Sequence, residues 1–242
     1  MQIDLNCDMG EGIGNDEALM PFISSANIAC GYHAGGEETM RTTILLAMRH
    51  GVRIGAHPSF PDRKNFGRTE MHLPPGDVYQ LIVDQLQLFQ SVADACNATV
   101  HHVKPHGALY NMAARDKELA GVVAAAIKDF NPRLVVYGLS NSYLVSEAQR
   151  AGLKTANEVF ADRTYQDDGS LTPRSRPDAF IKSESEAVRQ VMQMIEEKTV
   201  TTVLGKQIPM VAETVCLHGD GGHAVPFAKA IFKAMNKTTE AH

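Results

Sequence analysis

Seven short apolar runs, at residues 2–6, 26–30, 53–57, 100–104, 134–137, 154–159 and 214–218, alternate along this chain with stretches of helical periodicity. The helical patterns fill residues 37–50, 76–97, 116–129, 142–151, 184–198 and 225–236. The longest sets Val78, Leu81, Ile82, Gln85, Leu86, Phe89 and Val92 on one face. Strands that alternate with helices imply a parallel sheet with right-handed crossovers. At 242 residues the chain is long for an ordinary domain but within the range of one α/β barrel. An open doubly wound sheet gathers its ligand site at a single switch point, whereas a barrel draws on loops all round its C-terminal rim. Polar clusters follow nearly every run here. The expected fold is therefore a TIM-like, seven-stranded parallel β/α barrel in one domain over residues 1–242. A small extra hairpin, residues 200–204 and 207–211 around Gly205-Lys206, is expected outside the barrel. Residues 162–182 are rich in Asp, Gly, Pro and Arg and lack an apolar period. They read as a structureless loop that covers the site, or alternatively as a partner surface.

Composition narrows the function classes. A net charge of -5 argues against nucleic-acid or anionic-membrane surfaces. No stretch approaches the roughly 18 apolar residues of a membrane span. The N-terminus carries no basic or apolar leader pattern, so export is not expected. Cys7, Cys30, Cys96 and Cys216 show no CxxC spacing and read as structural buried thiols without a disulfide framework. The expected setting is cytoplasmic. A GxxxxGK[ST] loop is missing, and Gly10-Glu11-Gly12-Ile13-Gly14 has the wrong spacing for a dinucleotide turn.

Side chains alternate in direction along a strand. In the first run Ile3 and Leu5 share one face, while Asp4, Asn6 and Asp8 share the other. With the apolar face against the helices, the acidic face points into the barrel. The same alternation turns His57 inward with Gly55, Lys104 with His102, Glu158 with Ala156, and His218 with Cys216. The resulting ring is Asn6, Asp8, His57, Lys104, Glu158 and His218, with His33, His106 and Asp220 just above it. Burying so many ionisable groups is costly unless they pair or serve chemistry, so the chain reads as an enzyme. Plainer roles stand beside this one: Asp8 can cap the turn that follows it, and Glu158 can simply pair with Lys104. Lys104-Pro105-His106 is the most specific cluster. A lysine at a barrel mouth can stabilise an oxyanion, bind a carboxylate, or lose its proton and act as a base. Arg163, at the start of the long loop, has the fork to clamp a substrate carboxylate. The glycines of His218-Gly219-Asp220-Gly221-Gly222-His223 suit an anion-binding turn before the last helix. Asp8, His33, His57, His106 and His218 offer donors for zinc, iron or manganese, with Asp8, His33 and His57 foremost, although no HxxxH or HxxH spacing supports a metal locally.

Longer motifs carry a family resemblance. Asp4-Leu5-Asn6-Cys7-Asp8-Met9-Gly10-Glu11, Ala26-Asn27-Ile28-Ala29-Cys30-Gly31-Tyr32-His33-Ala34-Gly35, Gly55-Ala56-His57-Pro58-Ser59, Phe66-Gly67-Arg68, Val103-Lys104-Pro105-His106-Gly107, Glu158-Val159-Phe160-Ala161-Asp162-Arg163 and Leu217-His218-Gly219-Asp220 resemble the LamB/YcsF family, in order and over nearly the whole chain. The resemblance implies a seven-stranded barrel related to glycoside hydrolase/deacetylase folds. It also implies ATP-driven opening of 5-oxo-L-proline to L-glutamate, together with partner subunits B and C. ATP would then be a co-substrate held mainly by those partners, in keeping with the missing nucleotide loop. On that reading Asp8 or His57 is the base, and Lys104 and His106 stabilise negative charge. His218 with Asp220 protonates the departing nitrogen, Glu158 belongs to the catalytic group, and Asn6, Glu11, His33 and Arg163 bind substrate. A divalent metal and a homo-oligomer are left open. The alternatives are a stand-alone metal-dependent deacetylase or amidohydrolase, and a non-catalytic substrate-binding subunit.

Overall fold

A computed structural model describes residues 3–219 and 224–240. Seven strands close into a barrel: β1 (Asp4–Met9), β2 (Ser25–Ala29), β3 (Arg53–His57), β4 (Val100–Val103), β5 (Val135–Leu139), β6 (Lys154–Phe160) and β9 (Thr214–Leu217). The order round the barrel is β1-β2-β3-β4-β5-β6-β9, and every neighbouring pair is parallel. A separate antiparallel pair, β7 (Thr199–Thr201) and β8 (Gln207–Pro209), forms the expected hairpin with shorter arms.

The helices are α1 (Asp16–Leu19), α2 (Glu37–His50), α3 (Pro75–Ala95), α4 (Gly107–Arg115), α5 (Lys117–Phe130), α6 (Tyr143–Arg150), α7 (Glu184–Met192) and α8 (Ala224–Glu240). Local chemistry sets their ends. Pro75 opens α3, where its missing N–H costs nothing, and the Asp116 carboxylate accepts from the Glu118 and Leu119 amides to cap α5. Gly51 ends α2 in the left-handed region, at φ 67°. After α7, residues Gln193–Glu197 continue as one wide π turn. Neither α1 nor α4 is visible in the apolar periodicity. The start of α4 directly follows the strand-end cluster Lys104-Pro105-His106, so no turn signal separates strand from helix.

The apolar core lies between barrel and helices. Leu5, Cys7 and Met9 of β1 join Ile28, Ile54, Val103, Val136, Val159 and Val215 from the other strands, packed against Ile44 of α2 and Leu86 and Phe89 of α3. These strand residues alternate with the inward ones, so β1 is buried along its whole length with an apolar outer face and a polar inner face. Strand register stacks the inner residues in layers. Asp4 and Glu158 both pair with Thr214, Asn6 pairs with Cys216, and Asp8 pairs with Asn27. Gly55 has a steric role: a Cβ there would lie 2.2 Å from the His102 ring, which occupies the barrel interior. Among the described residues no helix is long and apolar enough to cross a membrane.

Candidate active site

The lowest interior layer is a closed polar network. Asp4 Oδ1 accepts from Ser24, Ser25 and Arg53 at 2.5, 2.8 and 2.6 Å, and Oδ2 accepts from Tyr137 and Thr214 at 3.0 and 2.7 Å. Burial raises the Asp4 carboxyl, but these donors and the Arg53 charge leave it below its ordinary range. His102 stacks on Tyr137 with centroids 4.2 Å apart, and burial holds it neutral, well below the usual histidine range. With every oxygen of Asp4 occupied, this layer acts as a floor.

Above it stands Lys104, 2% exposed. Its ammonium donates to Asp8 Oδ1 and Glu158 Oε1, both at 2.9 Å, and lies 3.1 Å from Cys216 Sγ and 3.4 Å from Asn6 Oδ1. Burial alone would lower its pKa, but the charges of Asp8 and Glu158 hold it well above the usual range. Asp8 responds in the opposite sense: burial raises it, while His57 and Lys104 pull it well below the usual range. The site thus contains a fixed cation between two carboxylates. Asn6 Nδ2 and the Tyr110 hydroxyl orient Glu158 at 2.9 and 2.7 Å. Asn27 Nδ2 ties Asn6 Oδ1 to Asp8 Oδ1 at 2.7 and 2.8 Å, while its own oxygen accepts from His102 at 2.7 Å.

At the rim, His33 and His106 stack with centroids 3.7 Å apart, and His57 meets both edge-on. Burial lowers His33 to about 3 and, with the neighbouring imidazoles, keeps His106 well below its ordinary range. Glu11 Oε1 lies 3.1 Å from His33 Nε2. Gly67 permits this packing: at φ 67° its Cβ would sit 2.9 Å from both His106 Cδ2 and His33 Cβ. Across the mouth, His218 Nδ1 pairs with both Asp162 oxygens at 3.0 Å, and its ring stacks on Phe160. Burial raises Asp162, and His218 brings it below its usual value. A cavity of about 1040 Å³ opens over this assembly; Asp8, His57, Lys104, His106, Arg163 and His218 all line it.

The structure brings Asn6, Asp8, His57, Lys104, Glu158 and His218 together on the inner face that strand phase gave them, with Glu11, His33 and His106 beside them. Three expectations change. His218 pairs with Asp162, and Asp220 together with the turn 221–223 lies outside the described residues. Arg163 is engaged by its own loop, its Nε and Nη2 donating to Ala179 O at 3.2 Å and Thr172 O at 2.5 Å with Phe180 against the guanidinium, while the residue also lines the cavity. Its guanidinium ties two segments of the loop together. The loop at 162–182 is consequently not structureless. It carries the bridges Arg163↔Phe180 and Tyr165↔Leu171, and Tyr165 Oη accepts from Phe160 N at 2.7 Å. The hairpin braces it through Val203 N to Tyr165 O at 2.9 Å and Thr202 Oγ1 to Asp167 Oδ1 at 2.6 Å. Sequence reasoning missed Asn27, Tyr110 and Asp162 as parts of the site. Asn27 was within reach of it, because Asn27 and Ala29 alternate with the outward Ile28 in β2.

Relatives of this chain share its whole architecture. The 5-oxoprolinase A subunit of Tolumonas auensis is 50% identical over 239 residues, 97% of this chain and 95% of that protein. The crystal structure of a lactam utilization protein from Thermus thermophilus superposes with a TM-score of 0.91 at 39% identity, covering 99% of this chain and 98% of that one. Dispersin B, at 11% identity and a TM-score of 0.51 over 97% of this chain and 98% of its own, shares the fold alone. The profile of one family matches residues 3–241, and with the same barrel found in a close relative, the chain belongs to the LamB/YcsF family.

Proposed function

We propose that this chain opens the lactam of 5-oxo-L-proline to L-glutamate, as the A component of an ATP-driven assembly completed by subunits B and C. One observation carries the reading: a buried Asp8–Lys104–Glu158 cluster lies under a cavity with a His218–Asp162 pair at its edge, in a chain half identical to a named 5-oxoprolinase A subunit. A five-membered lactam is a poor electrophile, and its hydrolysis at neutral pH runs uphill. Transfer of the γ-phosphoryl of ATP to the amide oxygen, on a partner subunit, would leave ADP and a reactive imidate phosphate. Water adds to its carbon in this cavity, and cleavage of the C–N bond gives an acyl phosphate and the amine. A second water then releases phosphate and the glutamate carboxylate, so the sum is lactam, ATP and two waters to glutamate, ADP and phosphate.

The geometry constrains the roles. Lys104, clamped between carboxylates and held above its usual range, stays charged, so its part is to stabilise the developing anion rather than to act as base. Asp8, ionised beside it, orients and deprotonates the attacking water. His218 presents Nδ1 to Asp162, which leaves Nε2 to carry a proton to the departing nitrogen. Arg68, Arg174 and Lys206 border the cavity and give it an attraction for phosphorylated or carboxylated ligands. The test is lactam-dependent glutamate formation by the chain combined with its partners and ATP. His218→Ala is expected to lower kcat about 10²- to 10⁴-fold, the usual contribution of a positioned acid or base. Near-full turnover in both Lys104→Ala and His57→Ala would show that the chemistry happens elsewhere.

A further inference from the structure

The rim histidines and Glu11 gather four potential metal-ligand atoms at one point of the barrel mouth. His57 Nδ1 lies 2.7 Å from the Lys104 carbonyl, and His106 Nε2 lies 2.9 Å from the Phe66 carbonyl. Carbonyl oxygens only accept, so each of these nitrogens carries its ring's proton. His33 Nδ1 lies 3.0 Å from Ser59 Oγ, which also lies 2.9 Å from the Phe60 carbonyl. The remaining ring nitrogens turn toward one another, and His57 Nε2 also lies 3.4 Å from Asp8 Oδ2. His57 Nε2 and His106 Nδ1 are 2.9 Å apart, and Glu11 Oε1 stands 3.1 Å from His33 Nε2 and 3.5 Å from His106 Nδ1. All four donor atoms fall within 4.8 Å of one another.

Four donor atoms at this spacing have the geometry to share one cation. Ligands at about 2.0–2.1 Å from a tetrahedral zinc ion lie about 3.4 Å from each other, and the separations here bracket that edge. The outward bonds to Lys104 O, Phe66 O and Ser59 Oγ are the supports that metal-bound imidazoles need to fix tautomer and ring direction. We propose that Glu11, His33, His57 and His106 form a binding site for a divalent first-row transition ion, with zinc as the ion best matched to three imidazoles and one carboxylate. The second donor set, Asp8, Cys216 and His218, does not compete. The Lys104 ammonium lies on both Asp8 and Cys216, at 2.9 and 3.1 Å, and fills that place with a fixed cation. The ion reaches solvent on the side where His57 and His106 line the cavity. It therefore belongs to the site given above to lactam opening, although its binding is measured without turnover.

The experiment is a zinc titration of the chelator-stripped full-length chain by calorimetry, with metal content counted after dialysis. One equivalent of zinc per chain is expected, and the cobalt-substituted protein should show the intense visible absorption of a four-coordinate site. Glu11→Gln and His33→Asn should each lose that equivalent. Ser59→Ala should weaken binding about 10- to 100-fold, as removal of an outer support does. His218→Asn and Cys216→Ser should still bind. Should His33→Asn fail to fold, Glu11→Gln and the cobalt spectrum of the unaltered chain still decide. The proposal is overturned if the stripped wild-type chain takes up no zinc, or if it binds equally well in Glu11→Gln. Zinc uptake without lactam opening would sink the proposed reaction and leave the metal site standing, and the reverse outcome would do the opposite.

Discussion

At Lys104 one ammonium meets two carboxylates and a thiol, and this crowding makes the residue structural as well as chemical. Replacing it with methionine keeps the volume and leaves Asp8 and Glu158 buried without their cation. Such a loss costs about 3–5 kcal/mol, so Lys104→Met should lower the urea midpoint strongly as well as abolish turnover; equal stability in the two proteins would contradict the buried pair. Gly67 allows a second prediction at this scale. Gly67→Ala forces a non-glycine residue to φ 67° and drives a methyl group against His33 and His106. The left-handed backbone alone costs about 1–2 kcal/mol. Thermal melts should show that loss, and zinc affinity should fall because two of the rings move. Strand phase identified Lys104, Asp8 and Glu158 as inward-facing. It could not reveal that the lysine is held charged, because that depends on acceptors from β1, β6 and β9 that lie far away in sequence.

Among the elements, the loop at 162–182 and the hairpin β7–β8 depend on each other. Thr202 and Val203 hold Asp167 and Tyr165, so the hairpin that seemed peripheral to the barrel count anchors one wall of the cavity. Thr202→Val removes two hydrogen bonds, to Asp167 and from the Lys206 amide, while keeping shape. It is expected to raise KM severalfold with kcat little changed, and to speed proteolytic nicking within 162–182; unchanged KM and cleavage would free the hairpin from this role. A further prediction concerns α5 alone. Asp116→Ala deletes a cap that accepts from two amides and should cost about 1 kcal/mol, read from denaturant midpoints. Periodicity located α2, α3, α5, α6, α7 and α8 because each has one apolar stripe. It overlooked α4, whose first turn shares residues with a functional strand end, and it could not see the loop's ladder, which rests on Arg163 bonding to carbonyls nine and sixteen residues away.

For the molecule as a whole, the polar barrel interior makes stability dependent on pH. His102, buried and held well below the ordinary histidine range, stays neutral when folded and protonates readily when unfolded. Below that ordinary range the unfolded chain therefore binds more protons, and stability falls as pH drops through it, by about 1.4 kcal/mol per unit for each such group. Asp4 acts at a lower pH. Its depressed carboxyl contributes stability that is present above the ordinary carboxylate range and lost as pH falls through the folded value. Chelator-treated protein should lose denaturant resistance as pH falls from neutral to about 5, and His102→Asn should flatten that slope even while it lowers stability overall. A slope identical in the variant would mean that His102 is not the buried neutral group assigned here.

The alternation of seven apolar runs with helical stretches sufficed for a parallel barrel, because burial on two faces and right-handed crossovers leave few other ways to pack such a pattern. Period-2 phase sufficed to place Asn6, Asp8, His57, Lys104, Glu158 and His218 on the inner face, since direction along a strand is a local property. Partnership is different. Which carboxylate orients His218, which carbonyls hold Arg163, and what each rim histidine meets all depend on atoms contributed by strands and loops distant in sequence. Those choices were made by the closing of the barrel, which brought ligand atoms of Glu11, His33, His57 and His106 within 4.8 Å of one another.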